Sequence, residues 1–154
     1  ASFEAQINDF VICSLQFDEP LFSRTYDSLR QDYSLSFVYE NVFIPTLRRI
    51  GALWSSGELF PAQEHFLSNL IKQKFFHAIE AVDSPIRKNK KAFLFLPPWE
   101  DHDFALLYSN MILKENGFDV DGFINATFQP MFLIYNAYKW YPEIIGKAAS
   151  NGSK

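Results

Sequence analysis

The spacing of the apolar residues changes at one point, and this change most constrains how the chain folds. Up to about residue 82 they recur every three to four positions, which is the spacing of amphipathic helices. The pattern stops at Asp83-Ser84-Pro85 and a basic segment follows, which we interpret as a solvated linker. Lys91–Leu96 is then almost continuously apolar, as in a buried parallel strand. The sequence therefore predicts an all-α part followed by an α/β part.

The first part, residues 1–83, is predicted to hold four amphipathic helices. Short turns with recognisable capping residues separate them, so we expect a four-helix bundle. Pro45 lies inside the third helix and should bend or restart it. The predicted segments are 3–15, a helix that Asp18 caps and Pro20 opens, a helix capped by Asp32 or Ser34 and ending near Trp54, and 61–82.

The second part, residues 91–149, begins as strand, loop and helix, with the helix closing at Asn116-Gly117. This order opens a doubly wound parallel α/β domain, in which ligands bind at the carboxyl ends of the strands. Gly122–Thr127 is a candidate further strand. A complete domain of this kind needs roughly 100 residues, and the chain has 64 from 91 to 154. We therefore expect an incomplete or shortened α/β domain.

Composition narrows the function classes. The net charge of -4 argues against sequence-independent nucleic-acid binding. The single cysteine, Cys13, excludes an internal disulfide, fits a reducing cytoplasm and is expected to be buried as a small hydrophobe. No apolar run is long enough to span a membrane, and the start shows no signal-peptide pattern. The sequence predicts a cytoplasmic protein without a membrane partner.

One candidate site surrounds the turn between the third and fourth helices. Trp54 ends one helix, Ser55-Ser56-Gly57 breaks it, and Pro61 starts the next. Glu64 and His65 then fall in the first turn of the new helix, so an indole, a carboxylate and an imidazole should share one corner. The alternative is a core tryptophan packed between the two helices, with the polar pair in solvent.

A second candidate site is the loop after the predicted strand, which carries Glu100 and His102. A metal-bound histidine usually donates its other ring proton to a carboxylate or carbonyl group, and Glu100 is spaced to accept it. The alternative is an ordinary solvated loop. No histidine pair has the spacing of a zinc site, and no nucleophile–base pair or phosphate-binding loop is visible. We therefore predict no enzymatic activity.

The two patterns together resemble a known family. The corner has the form Trp-x9-Glu-His within Arg49–Ser68, and the loop has the form Glu-x-His-x-x-Ala over Glu100–Ala105. This combination closely resembles the cobalamin-binding modules of light-sensing, MerR-type transcriptional regulators. It implies a helical cap followed by a Rossmann-like domain, with adenosylcobalamin between them.

The resemblance also implies roles for individual residues. Trp54, Glu64 and His65 would cover the upper face of the corrin, where the adenosyl group lies. His102 would be the lower axial ligand of the cobalt, and Glu100 would hold the imidazole ring of His102.

Two departures from the family pattern stand out. Ala105 occupies a position that is usually glycine, so a small residue is kept there. The family's second strand should follow Val120, whereas Asp121–Thr127 looks like its third strand, which suggests that a crossover is missing.

Taken together, the sequence predicts a non-enzymatic, cobalamin-sensing regulatory domain that forms homo-oligomers. DNA binding would require a separate winged helix-turn-helix domain. Two alternatives remain open: an interaction module that has lost the cofactor, and a corrinoid carrier for a methyltransferase. The Trp-x9-Glu-His motif favours the sensor over the carrier, and the short second domain favours the cofactor-free module.

Overall fold

The computed structural model describes residues 2–83, 91–95 and 103–123. The chain divides into two compact units, Ala1–Pro85 and Ile86–Lys154. The predicted domain limits, 1–83 and 91–149, stay a prediction, because most of the second range lies outside the described residues. The helices are α1 Glu4–Gln16, α2 Glu19–Asp32, α3 Leu35–Val38, α4 Ile44–Ser55, α5 Pro61–Ala81 and α6 Phe104–Glu115; the strands are β1 Lys91–Phe95 and β2 Asp119–Phe123.

The helix ends in the first unit follow local capping chemistry. Phe17 adopts a left-handed backbone conformation (φ 55°) after α1, and Asp18 N–H donates to the carbonyl of Cys13. The Asp18 carboxylate then accepts the Leu21 N–H at 2.9 Å, so Asp18 caps α2 as predicted. Ser34 accepts the Phe37 N–H at 3.1 Å, which decides between the two predicted caps in favour of serine.

Pro45 interrupts the third helical segment as predicted. A single π-helical turn, Tyr39–Phe43, separates α3 from α4 and comes just before the proline. Proline has no N–H to donate and its ring crowds the preceding turn, so a wider turn accommodates it. The hydroxyl of Thr46, the residue after the proline, donates to the Val42 carbonyl oxygen at 2.7 Å. This hydrogen bond is buried in the core.

Aromatic side chains form the centre of the helical unit. Phe10 of α1 lies 5.2 Å from both Phe22 of α2 and Phe43 of the π turn, measured between ring centroids. Phe75 of α5 meets Tyr39 edge-on at 5.1 Å. All four phenylalanines are fully buried, and such pairs add about 0.5–1.5 kcal/mol beyond their area burial.

The turn between α4 and α5 forms where the sequence predicts it. Gly57 has a φ of +78°, which a side chain would oppose, and it ends the helix. Leu59 then turns inward and is only 2% exposed. One apolar side chain thus anchors the short connection to the helical core.

The described part of the second unit is a strand–helix–strand motif. β1 and β2 pair in parallel, from Lys91 opposite Asp119 to Phe95 opposite Phe123. α6 connects them and buries Leu106, Leu107 and Met111. Parallel strands joined through a helix are the repeating unit of doubly wound folds.

The observed β2 changes one expectation about the second unit. It spans Asp119–Phe123 and includes Val120, so the strand begins earlier than the sequence pattern indicated. That a crossover of the family is missing stays a prediction. The predicted strand at Gly122–Thr127 overlaps β2 only at its first two residues. Residues 124–127, and the remainder of the predicted doubly wound sheet, lie outside the described residues.

In the described parts of the chain, no helix combines the length and the apolar character needed to cross a membrane.

Cys13 is buried in α1, as predicted. Burial raises the pKa of its thiol from 9.0 to about 11, and the negative charge of Asp18 adds to this increase. Because the thiolate is the reactive form, we expect Ellman's reagent to label the folded protein very slowly at about pH 8. Denaturation should release one rapidly reacting thiol per chain. Rapid stoichiometric labelling without denaturant would contradict this assignment.

Leu59→Ala should destabilise the helical unit by about 2–5 kcal/mol, because it empties a buried position. Phe60→Ala is the matched control, since the Phe60 side chain is 71% exposed, and should change stability by no more than about 0.5 kcal/mol. Urea unfolding followed by circular dichroism measures both. Equal effects of the two variants would show that Leu59 does not anchor the turn.

Candidate functional site

Trp54 lies on the surface of the protein. It occupies the last turn of α4, and its side chain is 55% exposed. The alternative that makes Trp54 a core residue between two helices is therefore wrong. The helix that carries Trp54 is nevertheless held against the core, because Ile50, one turn earlier in α4, is buried.

Glu64 and His65 form a pair in the first turn of α5. The His65 Nδ1 and the Glu64 Oε2 lie 2.6 Å apart, and the two side chains are 71% and 29% exposed, respectively. With the carboxylate accepting the Nδ1 proton, a neutral imidazole carries its lone pair on Nε2. In this form, His65 Nε2 is a hydrogen-bond acceptor at the protein surface.

Gln63 holds the start of α5 against the end of α1. Its side-chain oxygen accepts the Phe60 N–H at 2.8 Å, and its side-chain nitrogen donates to the Leu15 carbonyl at 2.8 Å. The backbone carbonyl of Gln63 also accepts the Ser14 hydroxyl at 2.8 Å. These three hydrogen bonds fix the turn of helix that carries Glu64 and His65.

The role of Gln63 was not predicted from the sequence, although the sequence carries a signal for half of that role. A Glu or Gln at the third position of a helix often accepts the backbone N–H of the capping residue. Phe60 has no side-chain oxygen to complete a reciprocal capping box, so only that half forms. The bond to Leu15 joins residues 48 apart along the chain, and no local pattern indicates it.

Arg49 fixes α4 against α1 in a similar way. Its Nη1 donates to Asn8 Oδ1 at 2.7 Å, and its Nη2 lies 3.0 Å from Glu4 Oε2. Since both charged groups are solvent-accessible, the pair contributes more to orientation than to stability. α4 and α5 both contact α1, and they also contact each other. Both helices of the corner are therefore supported by α1.

The second candidate site is only partly visible. Glu100 and His102 lie outside the described residues, and their roles stay predictions. Ala105 is exposed in the first turn of α6, next to the buried N-cap residue Asp103. Within 2–83, 91–95 and 103–123, no group of three or more histidine, cysteine, aspartate or glutamate side chains could hold a metal ion.

The corner between α4 and α5 has the chemistry of a ligand surface. The exposed indole supplies a broad apolar wall, and the Glu64–His65 pair supplies hydrogen bonds beside the same turn. In a comparison with known families, residues 6–79 match the family described as "B12 binding domain". The match lies entirely within the helical unit, which is thus similar to the B12-binding domain family. The resemblance predicted from the sequence is thereby confirmed.

One relative aligns over a stretch longer than the helical unit. The chain is 27% identical over 101 residues to the HTH-type transcriptional repressor CarH of Myxococcus xanthus. That alignment covers 66% of this chain and 33% of the repressor. The chain thus matches about a third of the length of this relative.

Trp54→Ala should leave the stability of the helical unit within about 0.5 kcal/mol of wild type, because the side chain is largely exposed. Ile50→Ala, one turn away on the buried face of α4, should cost about 2–5 kcal/mol. Thermal and urea unfolding of both variants test this contrast. A loss of several kcal/mol for Trp54→Ala would mean that the indole supports the fold rather than a ligand.

Proposed function

We propose that this chain is the cobalamin-binding sensory part of a transcriptional regulator and that its cofactor is adenosylcobalamin. One observation carries the proposal: within the segment that matches the B12-binding family, the exposed Trp54 ends α4 and the Glu64–His65 pair lies in the first turn of α5, on the two sides of one short turn. The similarity to a transcriptional repressor supports a regulatory, non-enzymatic role.

The described residues fit one face of a cobalamin. A corrin is broad and carries polar substituents at its edge, so it needs an apolar wall with hydrogen-bonding groups beside it. Trp54 supplies the wall, and His65 supplies a ring nitrogen whose tautomer the Glu64 carboxylate sets. Neither group is used to hold the helical core together.

In this proposal the side chains of the corner have distinct roles. Trp54 packs against the cofactor and excludes water from its upper face. His65 and Glu64 form hydrogen bonds to the adenosyl group. Gln63 and Arg49 hold α5 and α4, respectively, against α1. The binding groups therefore need little rearrangement when the cofactor binds. The chemistry that the cofactor supplies when bound is a light-sensitive cobalt–carbon bond.

The α/β unit would supply the lower side of the site. We propose that the imidazole of His102 ligates the cobalt and that Glu100 accepts the other ring proton of His102. The β1–α6–β2 motif supports this assignment, because in such folds ligands bind where the strands end and the helices begin. Ala105 would let the first turn of α6 approach the cofactor.

Regulation would act through assembly. We propose that cofactor binding, and its loss in light, changes how copies of the chain associate, and that a separate winged helix-turn-helix domain binds DNA. The relative from Myxococcus xanthus is an HTH-type transcriptional repressor, which supports this proposal.

The direct test is an absorption spectrum after mixing the purified protein with adenosylcobalamin in the dark and desalting. We expect wild type to retain the cofactor with a His-ligated, base-off spectrum. Trp54→Ala and His65→Ala should bind more weakly, because they remove the apolar wall and the hydrogen-bonding ring. His77→Ala is the matched control, since His77 is exposed on α5 away from the corner, and should bind as wild type does.

Variants of the second unit test the cobalt ligand separately. His102→Ala should abolish the His-ligated spectrum, whereas Glu100→Gln should weaken binding by about 10–100-fold, as for other partners of metal ligands. An unchanged spectrum in His102→Ala would remove the axial assignment.

If wild type retains no cobalamin at all, the second candidate function replaces the first. The chain would then be an interaction module derived from a B12-binding domain.

A further inference from the structure

Gly51 lies in the middle of α4, where the fold itself gives no reason for a glycine. Glycine weakens a helix relative to alanine because its backbone loses more conformational freedom. Gly57 and Gly117 have positive φ angles of 78° and 77°, so their backbone conformations explain them. Gly51 has no such conformation, because it continues the helix between Ile50 and Ala52.

Close packing within the described protein does not explain Gly51 either. A Cβ atom built at this position would have no heavy atom of the described residues within 4 Å, beyond its own helix and chain neighbours. An alanine methyl group would therefore fit without strain. Among the described residues, neither a positive φ angle nor close packing accounts for this glycine, and a further reason for glycine is close approach of a ligand to the backbone.

The open position lies on the face of α4 that presents the tryptophan. Residues three and four apart share a helix face, so Gly51 is next to Trp54 and Ser55 on the surface. The Ser55 hydroxyl donates to the Gly51 carbonyl at 2.9 Å, so this bare segment of backbone already has its oxygen satisfied. An apolar surface can therefore cover it without burying an unpaired carbonyl.

We propose that Gly51 is a point of closest contact between the protein and cobalamin, where the ligand lies directly against the backbone of α4. This inference rests on the proposed function and adds a residue to the same site. Cobalamin is the occupant that the observations favour, because the open position is continuous with the exposed Trp54 and lies within the segment that matches the B12-binding family. Glycine at position 51 thus lowers the stability of the free protein and permits tighter contact with the cofactor.

The proposal predicts effects of opposite sign for one substitution. Gly51→Ala should raise the melting temperature of the cofactor-free chain by a few degrees, because alanine restricts the unfolded chain and favours the helix. The same methyl group should weaken adenosylcobalamin binding by about tenfold or more, since it intrudes on a close-packed contact. Differential scanning fluorimetry and a titration followed by absorbance measure the two effects.

Ala52→Leu is the matched control. Ala52 is the next residue of α4, is exposed, and lies on a different face of the helix from Gly51. Leucine is a good helix former, so this variant adds more bulk than Gly51→Ala without weakening the helix. It should bind adenosylcobalamin with the wild-type affinity.

Each other outcome has a defined meaning. If Gly51→Ala binds adenosylcobalamin with the wild-type affinity, the proposed contact is overturned. The proposed function would still stand, because the wild-type protein binds the cofactor. A lower melting temperature of cofactor-free Gly51→Ala would show that the chain itself fills the space, which also overturns the inference. A changed oligomeric state of the cofactor-free variant, by size-exclusion chromatography, would assign the space to a second copy instead. If wild type binds no cobalamin, the proposed function fails first and the inference fails with it.

Discussion

The aromatic contact among Phe10, Phe22 and Phe43 is the interaction on which the helical unit depends. It joins α1, α2 and the π-helical turn before α4, with ring centroids 5.2–6.2 Å apart. Because Phe43 immediately precedes α4, this cluster fixes where α4 starts. A helix is a rigid rod over a dozen residues, so fixing its start and its contact with α1 also fixes where Trp54 emerges.

The two faces of α4 differ in how far they take part in the helical core. Ile50 faces the core and contributes burial, whereas Gly51 and Trp54, on another face, contribute little to folding. α5 is similar, since Leu67 and Phe75 are buried while His65 is exposed one turn from the helix start. The hydrogen bonds of Gln63 and Arg49 connect both surfaces to α1, so the exposed groups are held in place although none of them is buried.

Much of the helical unit could be predicted because its boundaries depend on local chemistry. Asp18 and Ser34 cap helices through their own side chains, and Gly57 permits a left-handed turn that other residues resist. Pro45 disturbs a helix wherever it occurs in one. The second strand was harder to predict, because Asp119–Phe123 has a polar start and mixed pattern and is recognisable as a strand only through its pairing with β1. The helical period reveals that Trp54, Glu64 and His65 lie near one turn, but not whether the indole is buried or exposed.

Local sequence patterns therefore predict where the helices begin and end, which chemical groups flank the α4–α5 turn, and which family the helical unit resembles. Those properties follow from interactions between residues a few positions apart, which any reader of the chain can identify. Other properties depend on the packing of whole helices: Trp54 is exposed, Gln63 bonds to Leu15, and no described residue fills the space beside Gly51. These depend on which side of each helix the core occupies and on contacts between residues more than 40 positions apart, and such contacts arise only when the hydrophobic surfaces of separate helices pack together.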